Sequence, residues 1–261
     1  MNPENHTGHL SPSLEVRENR ELAAEIKFRV PAVLGGEIRS WARQWLAPDP
    51  HAGGAAGDTY RTTSIYFDTE SFDVLQKTGS FGRSKYRIRR YGDSHGVFLE
   101  RKLKTHDLVS KRRSVVDIAD LARLANTEPR RGWPGYWFHR RIHARLLSPV
   151  CQISYLRTAR VGSGDFGPIR LTLDQDVRAI PANRTDFHHT RPGTPLSEQY
   201  LILELKFRRA LPELFKQLIG TFRLEAQPVS KYRLAAAAPE CVTGWIGQPL
   251  QEAREPVETA A

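Results

Sequence analysis

Three times in this chain a glutamate stands two residues before a lysine: Glu25/Lys27, Glu100/Lys102 and Glu204/Lys206. On an extended backbone, residues two apart share a face, so each pair sets a carboxylate beside an ammonium. Carboxylate oxygens suit a hard divalent cation such as Mg2+ or Mn2+, while ammonium and guanidinium groups suit phosphate oxygens. The same alternation adds Lys85, Arg87 and Arg89 in SKYRIRRY, Lys111 and Arg113 in VSKRRSVV, Arg157 in VCQISYLRT and Arg170 in IRLTLD. With Arg29 and Lys104, the polar faces carry twelve cations against four acids, Glu25, Glu100, Asp174 and Glu204. A face that only met water would intersperse the signs, because like charges on neighbouring strands destabilise a sheet. Six of the nine lysines lie on these faces and a seventh is Lys231. A compact charge on a flexible stem is suited to reaching phosphate oxygens.

These side chains need strands to align them. Eight segments alternate with period two: residues 25–30, 63–68, 84–91, 97–104, 109–116, 150–158, 169–174 and 200–207. Split by Gly, Pro, Asp and Ser, they predict an antiparallel, mainly β fold of α+β type. The faces opposite the charges are apolar, as in Ile26, Phe28 and Val30 or Leu201, Leu203, Leu205 and Phe207. Amphipathic spacing predicts helices over 33–46, 118–125, 134–148 and 211–224. An eight-stranded closed β-barrel, polar faces inward and helices packed on the outside, would make a cationic tunnel. Residues 19–240 form this domain in the sequence reading, with polar tails at 1–18 and 241–261 and loops at 49–58 and 181–199.

Composition sets limits. The chain has 261 residues, a net charge of +10 and an isoelectric point near 9.8, so a polyanion is the natural partner. Hydrophobic residues at 39% and a mean hydropathy of −0.50 exclude wholesale disorder and a membrane-embedded chain. Cys151 and Cys241 form no CxxC arrangement, which argues against a disulfide scaffold or thiolate zinc site. With no secretory signal and no long apolar run, a cytoplasmic location is expected, peripheral membrane association being left open. GSGDFG at 162–167 matches a dinucleotide fingerprint, but a strand follows it, so a hairpin loop is expected. His139 and His143 have metal-pair spacing, yet lack the accompanying Glu and read as part of a solvated basic face. In residues 130–145, arginines interleave with Trp133, Tyr136, Trp137 and Phe138; a helix packed on the exterior, arginines outward, is expected there rather than nucleic-acid contact.

Taken in order, EIKF (25–28), TSIYFDT (63–69), KYRIRRYG (85–92), FLERKLK (98–104), SKRR (110–113), ISYLRTA (153–159), IRLTLD (169–174), LILELK (201–206) and VSKY (229–232) resemble the VTC catalytic domain. That family is the polyphosphate-polymerase branch of the CYTH-like triphosphate tunnel metalloenzymes, and the resemblance covers roughly residues 19–240. It implies an antiparallel tunnel of about eight strands. It also implies metal-dependent transfer of the γ-phosphoryl group of ATP to a growing inorganic polyphosphate chain. Lys27, Arg87, Arg89, Lys102 and Lys231 would then be the catalytic cations. Lys111, Arg157 and Arg170 would join them on the phosphates, and the facing pattern adds Lys85 and Lys206. Glu204 would hold the Mn2+ or Mg2+, helped by Glu100, with Glu25 a further candidate from its pairing with Lys27. The resemblance implies ATP and polyphosphate as partners; no nucleic acid is expected. Hydrolytic relatives begin with Glu-x-Glu-x-Lys, and Ala23 stands here at the first Glu position. A tripolyphosphatase or nucleoside triphosphatase on the same fold, and a non-catalytic polyphosphate or nucleic-acid binder, are the alternatives.

Overall fold

A computed structural model describes residues 16–18, 23–50, 52, 57–81, 84–105, 108–188 and 193–244. Each of the eight alternating segments lies in a strand. In chain order the strands are β1 (Val16–Glu18), β2 (Ala23–Pro31), β3 (Ala47–Pro48), β4 (Thr59–Asp68), β5 (Ser84–Tyr91), β6 (Gly96–Thr105), β7 (Leu108–Asp117), β8 (Ser148–Gly164), β9 (Gly167–Pro181), β10 (Thr194–Pro195) and β11 (Tyr200–Arg208). They form one antiparallel sheet in the order β1-β7-β6-β5-β4-β8-β9-β11-β2, with β3 beside β8 and β10 beside β9. Register puts the charged positions in line: Lys27 opposes Glu204, which opposes Thr172, and Arg87 lies between Tyr66 and Glu100.

The other face is apolar and carries the helices. Helices α1 (Gly35–Trp45) and α4 (Glu213–Thr221) lay Ile38, Ala42, Phe215 and Leu218 over Phe28, Val30, Leu171, Leu203 and Leu205. Helix α3 (Tyr136–Ala144) packs Phe138 and Ile142 against Ile65, Ile88, Leu99 and Val116, beside a 3-10 run at Ile118–Ala125. Arg140 and Arg141 point outward, as the sequence predicts. His139 does not: it is buried, and its Nε2 and that of His143 lie 2.9 and 2.8 Å from the Asn126 carbonyl oxygen. The 162–167 glycine motif forms the β8–β9 hairpin, Gly164 pairing with Gly167. Two short helices, α2 (Asp73–Gln76) and α5 (Lys231–Ala236), leave no periodic signature in the sequence. No described helix is long and apolar enough to cross a membrane.

The sheet curls, but the expected closed barrel does not form among the described residues. Both edges are engaged elsewhere. The outer edge of β7 pairs with β1, and β2 is met by residues 226–229 through a Phe28–Ala226 bridge and the Gln227 N–H donating to the Lys27 carbonyl. Side chains also reach across the opening: Lys102 Nζ on β6 lies 3.5 Å from Glu25 Oε2 on β2. The domain limits differ as well. Strand β1 falls in the stretch read as an N-terminal tail, and Cys241 and Val242 are core residues. Residues 1–15 and 245–261, and parts of the 49–58 and 181–199 loops, lie outside the described residues.

Helix α5 is tied to the sheet by a buried carboxylate. Asp68 accepts hydrogen bonds from the N–H groups of Thr69, Val74 and Leu75 and, at 2.6 Å, from the Tyr232 hydroxyl. The Tyr232 ring stacks on Tyr66 with centroids 5.4 Å apart. Tyr232→Phe deletes a hydrogen bond to a charged group while keeping the stack, so it should cost about 1.5–3 kcal/mol. Urea denaturation followed by circular dichroism reads this directly. An unchanged midpoint would show that Asp68 does not hold α5.

Candidate functional site

The concave face is organised around carboxylates that each serve several cations. Glu25 and Glu204, on adjacent strands β2 and β11, share two lysines. Lys27 Nζ is 2.7 Å from Glu25 and 3.7 Å from Glu204, and Lys206 Nζ is 2.9 Å from Glu204 and 3.5 Å from Glu25. Burial and the repulsion of Glu204 push the Glu25 carboxyl upward, but Lys206, Lys27 and Lys102 outweigh them and hold it below its ordinary value. Against burial, Lys206, Lys27 and Arg157 hold Glu204 well below the usual carboxylate range.

A second centre lies on β5, β6 and β7. Glu100, its side chain 3% exposed, receives Arg87 Nε at 2.7 Å, Arg113 Nε at 3.1 Å and Lys111 Nζ at 3.4 Å. Burial opposes its ionisation; Arg87, Arg89, Lys111 and Arg113 prevail and hold it far below the usual range. The third centre is Asp174, which takes a bidentate pair from Arg157 at 2.6 and 2.8 Å and Lys231 Nζ at 2.6 Å. Arg170 pairs with Asp49 at 2.7 Å. Of the ten cations given site roles, two have no carboxylate partner among the described residues. Lys85 donates to Ser230 Oγ at 3.2 Å, and Arg89 donates to Ser64 Oγ and Tyr155 Oη at 3.0 and 3.1 Å.

All ten cations given site roles from the sequence therefore sit on this face or at its edge, as does Arg113, which the sequence placed on the polar face without a site role. The three glutamates do not gather. Glu25 and Glu204 are neighbours, whereas Glu100 belongs to the arginine-rich centre. Among the described residues no group of three or more His, Cys, Asp or Glu could hold a metal. The side chain of Lys104 lies outside those described. The sequence reading gave no role to Asp174, Tyr155, Ser64, Ser230 or Asp49. Tyr155 and Ser64 were within reach, since they share strand parity with Arg157 and Tyr66. Ser230 caps α5 by accepting from the Arg233 N–H, a role visible only once that helix exists. Asp49 lies just beyond β3 and carries no sequence signal.

An antiparallel sheet curled about a cation-rich concave face, with helices on its apolar side, defines the class of protein. Within it, the chain belongs to the VTC domain family, whose pattern matches residues 22–238. No curated protein is similar enough to count as a match. Among solved structures, a candidate adenylate cyclase from Bacillus halodurans is 16% identical, with a TM-score of 0.50 over 81% of this chain and 95% of that one. A candidate adenylyl cyclase from Hippeastrum, described as having a dominant triphosphatase activity, is 18% identical with a TM-score of 0.46, covering 80% of this chain and 92% of the other. The Bacillus likeness bears on fold alone.

The electrostatics have a measurable signature. Glu25, Glu100 and Glu204 are all held below their ordinary value of 4.5. The stability they supply is complete above that pH and is lost as pH falls through their folded values. Glu100→Gln strands three cations beside a neutral amide and should cost about 3–5 kcal/mol near neutral pH. It should also flatten the fall in melting temperature on acidification below about pH 5. A variant that melts like the wild type at neutral pH would remove Glu100 from its central place.

Proposed function

We propose that this protein is a divalent-metal-dependent polyphosphate polymerase that transfers the γ-phosphoryl group of ATP to a growing phosphate chain along its concave face. One observation carries the reading. Cations from seven of the eight main strands and from α5 converge on a single face, and the carboxylates among them are too few to neutralise it. Phosphoryl transfer asks little covalent chemistry of a protein; positioning and neutralisation of charge on the phosphate oxygens do most of the work. Arg87 and Arg89 on β5 and Lys27 on β2 would grip the chain, with Lys231 reaching in from α5. Their carboxylate, hydroxyl and phenol partners hold them in place before substrate arrives.

Glu25 and Glu204 fit a metal in one specific sense. Both are ionised, and two carboxylates suit a cation that keeps several waters and takes its remaining oxygens from phosphate. They would hold Mg2+ or Mn2+, which would supply further neutralisation of the transferring group. Membership of the VTC domain family supports the polymerase reading, and Ala23, standing at the first Glu position of the Glu-x-Glu-x-Lys with which hydrolytic relatives begin, weakens the case for hydrolysis.

Incubation with ATP and Mn2+, resolved on a gel for phosphate polymer and assayed for free phosphate, tests the assignment. Polymer supports it, free phosphate alone replaces it with a triphosphatase, and neither product overturns both. Arg89→Ala removes a charge-assisted contact to the transferring chain and should lower turnover about 100- to 1000-fold with the fold intact. ATP consumption at the wild-type rate would take β5 out of the site.

Lys85 adds a pH dependence. Burial, together with the positive charges of Lys27, Lys102 and Arg233, pushes its ammonium down to about 8. A bound phosphate chain would favour the charged form, so above that pH binding must draw in a proton and affinity should fall. Calorimetric titration with tripolyphosphate from about pH 7 to 9.5 should show this decline, and Lys85→Met should show less of it. Identical pH profiles for the two proteins would take Lys85 off the phosphate path.

A further inference from the structure

Strand β5 carries more than cations on its concave side. Lys85, Arg87, Arg89 and Tyr91 follow one another two residues apart, each step roughly 7 Å along the strand. The neighbouring strands repeat the change from polar to ring at the same end. Tyr60 on β4 meets Tyr91 edge-on at 5.6 Å and 82°, and Phe98 on β6 meets Tyr91 at 5.3 Å and 65°. A row of three aromatic rings thus ends the cationic face away from α5.

These rings are not core. None joins either hydrophobic cluster, and all three are half-buried, while Ile65, Ile88 and Leu99 on the opposite faces of the same strands are fully buried. They are nonetheless held firmly. The Tyr91 hydroxyl accepts from Arg113 and the Tyr60 hydroxyl from Arg170, both at 3.0 Å. The Arg113 guanidinium already lies 3.6 Å over the Phe98 centroid, a planar π group seated on a ring of this row. A site for inorganic phosphate alone has no use for such a platform. A ligand with a flat base at one end and a run of phosphates at the other matches the order ring, guanidinium, guanidinium, ammonium read along β5.

Resting on the phosphate-binding reading of the same face, we propose that Tyr60 and Tyr91, buttressed by Phe98, form the platform on which the base of a nucleoside triphosphate stacks. Its phosphates then run past Arg89 and Arg87 toward Lys85 and α5. The rings select a nucleotide over an inorganic triphosphate as the incoming donor, and they tolerate different bases because every base has a π-face.

Calorimetric titration of the whole chain, with Mg2+ present, compares the β,γ-imido analogue of ATP with tripolyphosphate. Stacking on an aromatic ring is worth about a five- to 150-fold change in affinity per base. Tyr60→Leu and Tyr91→Leu should weaken the nucleotide analogue within that range and shift tripolyphosphate by less than about threefold; Tyr60→Phe and Tyr91→Phe, which keep the rings, should retain nucleotide affinity. On unmodified protein, the emission of an etheno-adenine analogue should be quenched on binding and recover when ATP displaces it. Equal weakening of both ligands would show that the rings only steady Arg113 and Arg170, and would overturn the platform, as would an unquenched etheno-adenine. Wild-type protein that binds tripolyphosphate with no preference for nucleotide overturns the platform alone. Protein that binds neither ligand overturns the phosphate reading with it.

Discussion

Repulsion among like charges on one face of a sheet is the constraint the rest of this structure answers. Strand alternation places Lys27, Lys85, Arg87, Arg89, Lys102, Lys111, Arg157, Arg170 and Lys206 on the same side, and the curl of the sheet turns them toward one another. At a separation of 4 Å, two unit charges in a partly screened interior repel by about 4 kcal/mol, comparable to much of a domain's net stability. The carboxylates are distributed so that each serves more than one cation: Glu25 touches three lysines, Glu100 meets two arginines and a lysine, and Asp174 holds Arg157 and Lys231. Sharing an acid costs less ordering entropy than matching each cation with its own, because the shared side chain is fixed once. It also leaves positive charge on the face uncompensated.

The same sharing keeps the face orderly without ligand. Long cationic side chains lose rotamer freedom when fixed, and that loss opposes binding if it falls at the moment of association. Here Arg157 is clamped bidentately and Arg89 is held by a serine and a tyrosine hydroxyl. Tyr66, stacked on Tyr232, accepts from Arg87 at 3.3 Å, so α5 and the second charge centre are mechanically continuous. Much of the ordering has been done during folding.

Residue types and period-two spacing were enough to read all eight main strands, the facing of their charges and the exterior position of α1, α3 and α4. Alternation is a local property, and burial of the apolar side enforces it: a one-residue slip would put Leu203 and Leu205 among the lysines. What escaped is long-range. Closure of a barrel depends on what each edge strand finds, and the edge of β2 finds residues 226–229, about two hundred positions away in sequence. The grouping of Glu25 with Glu204, and the separation of both from Glu100, depends on strand order, which pattern alone does not give. Asp68 reads as the end of a strand, yet it secures α5 through a hydroxyl 164 residues downstream. His139 reads as solvent-facing beside two arginines, but the turn at Asn126 offers its carbonyl and buries it.

The open sheet and the composition of the site have one cause. Because β2 is met by residues 226–229 rather than by β7, the chain is led across the edge of the concave face immediately before α5 begins. That path places Val229, whose carbonyl accepts from Lys27 at 3.4 Å, then Ser230 against Lys85, then Lys231 against Asp174. Three consecutive residues thus tie β2, β5 and β9 together over a gap that a closed ladder would have sealed with backbone hydrogen bonds. A backbone seam would have been apt for rigidity, but it carries no charge. The segment that replaces it brings a lysine and a hydroxyl to the face, so what the sheet gives up in closure it regains as polar groups on its concave side.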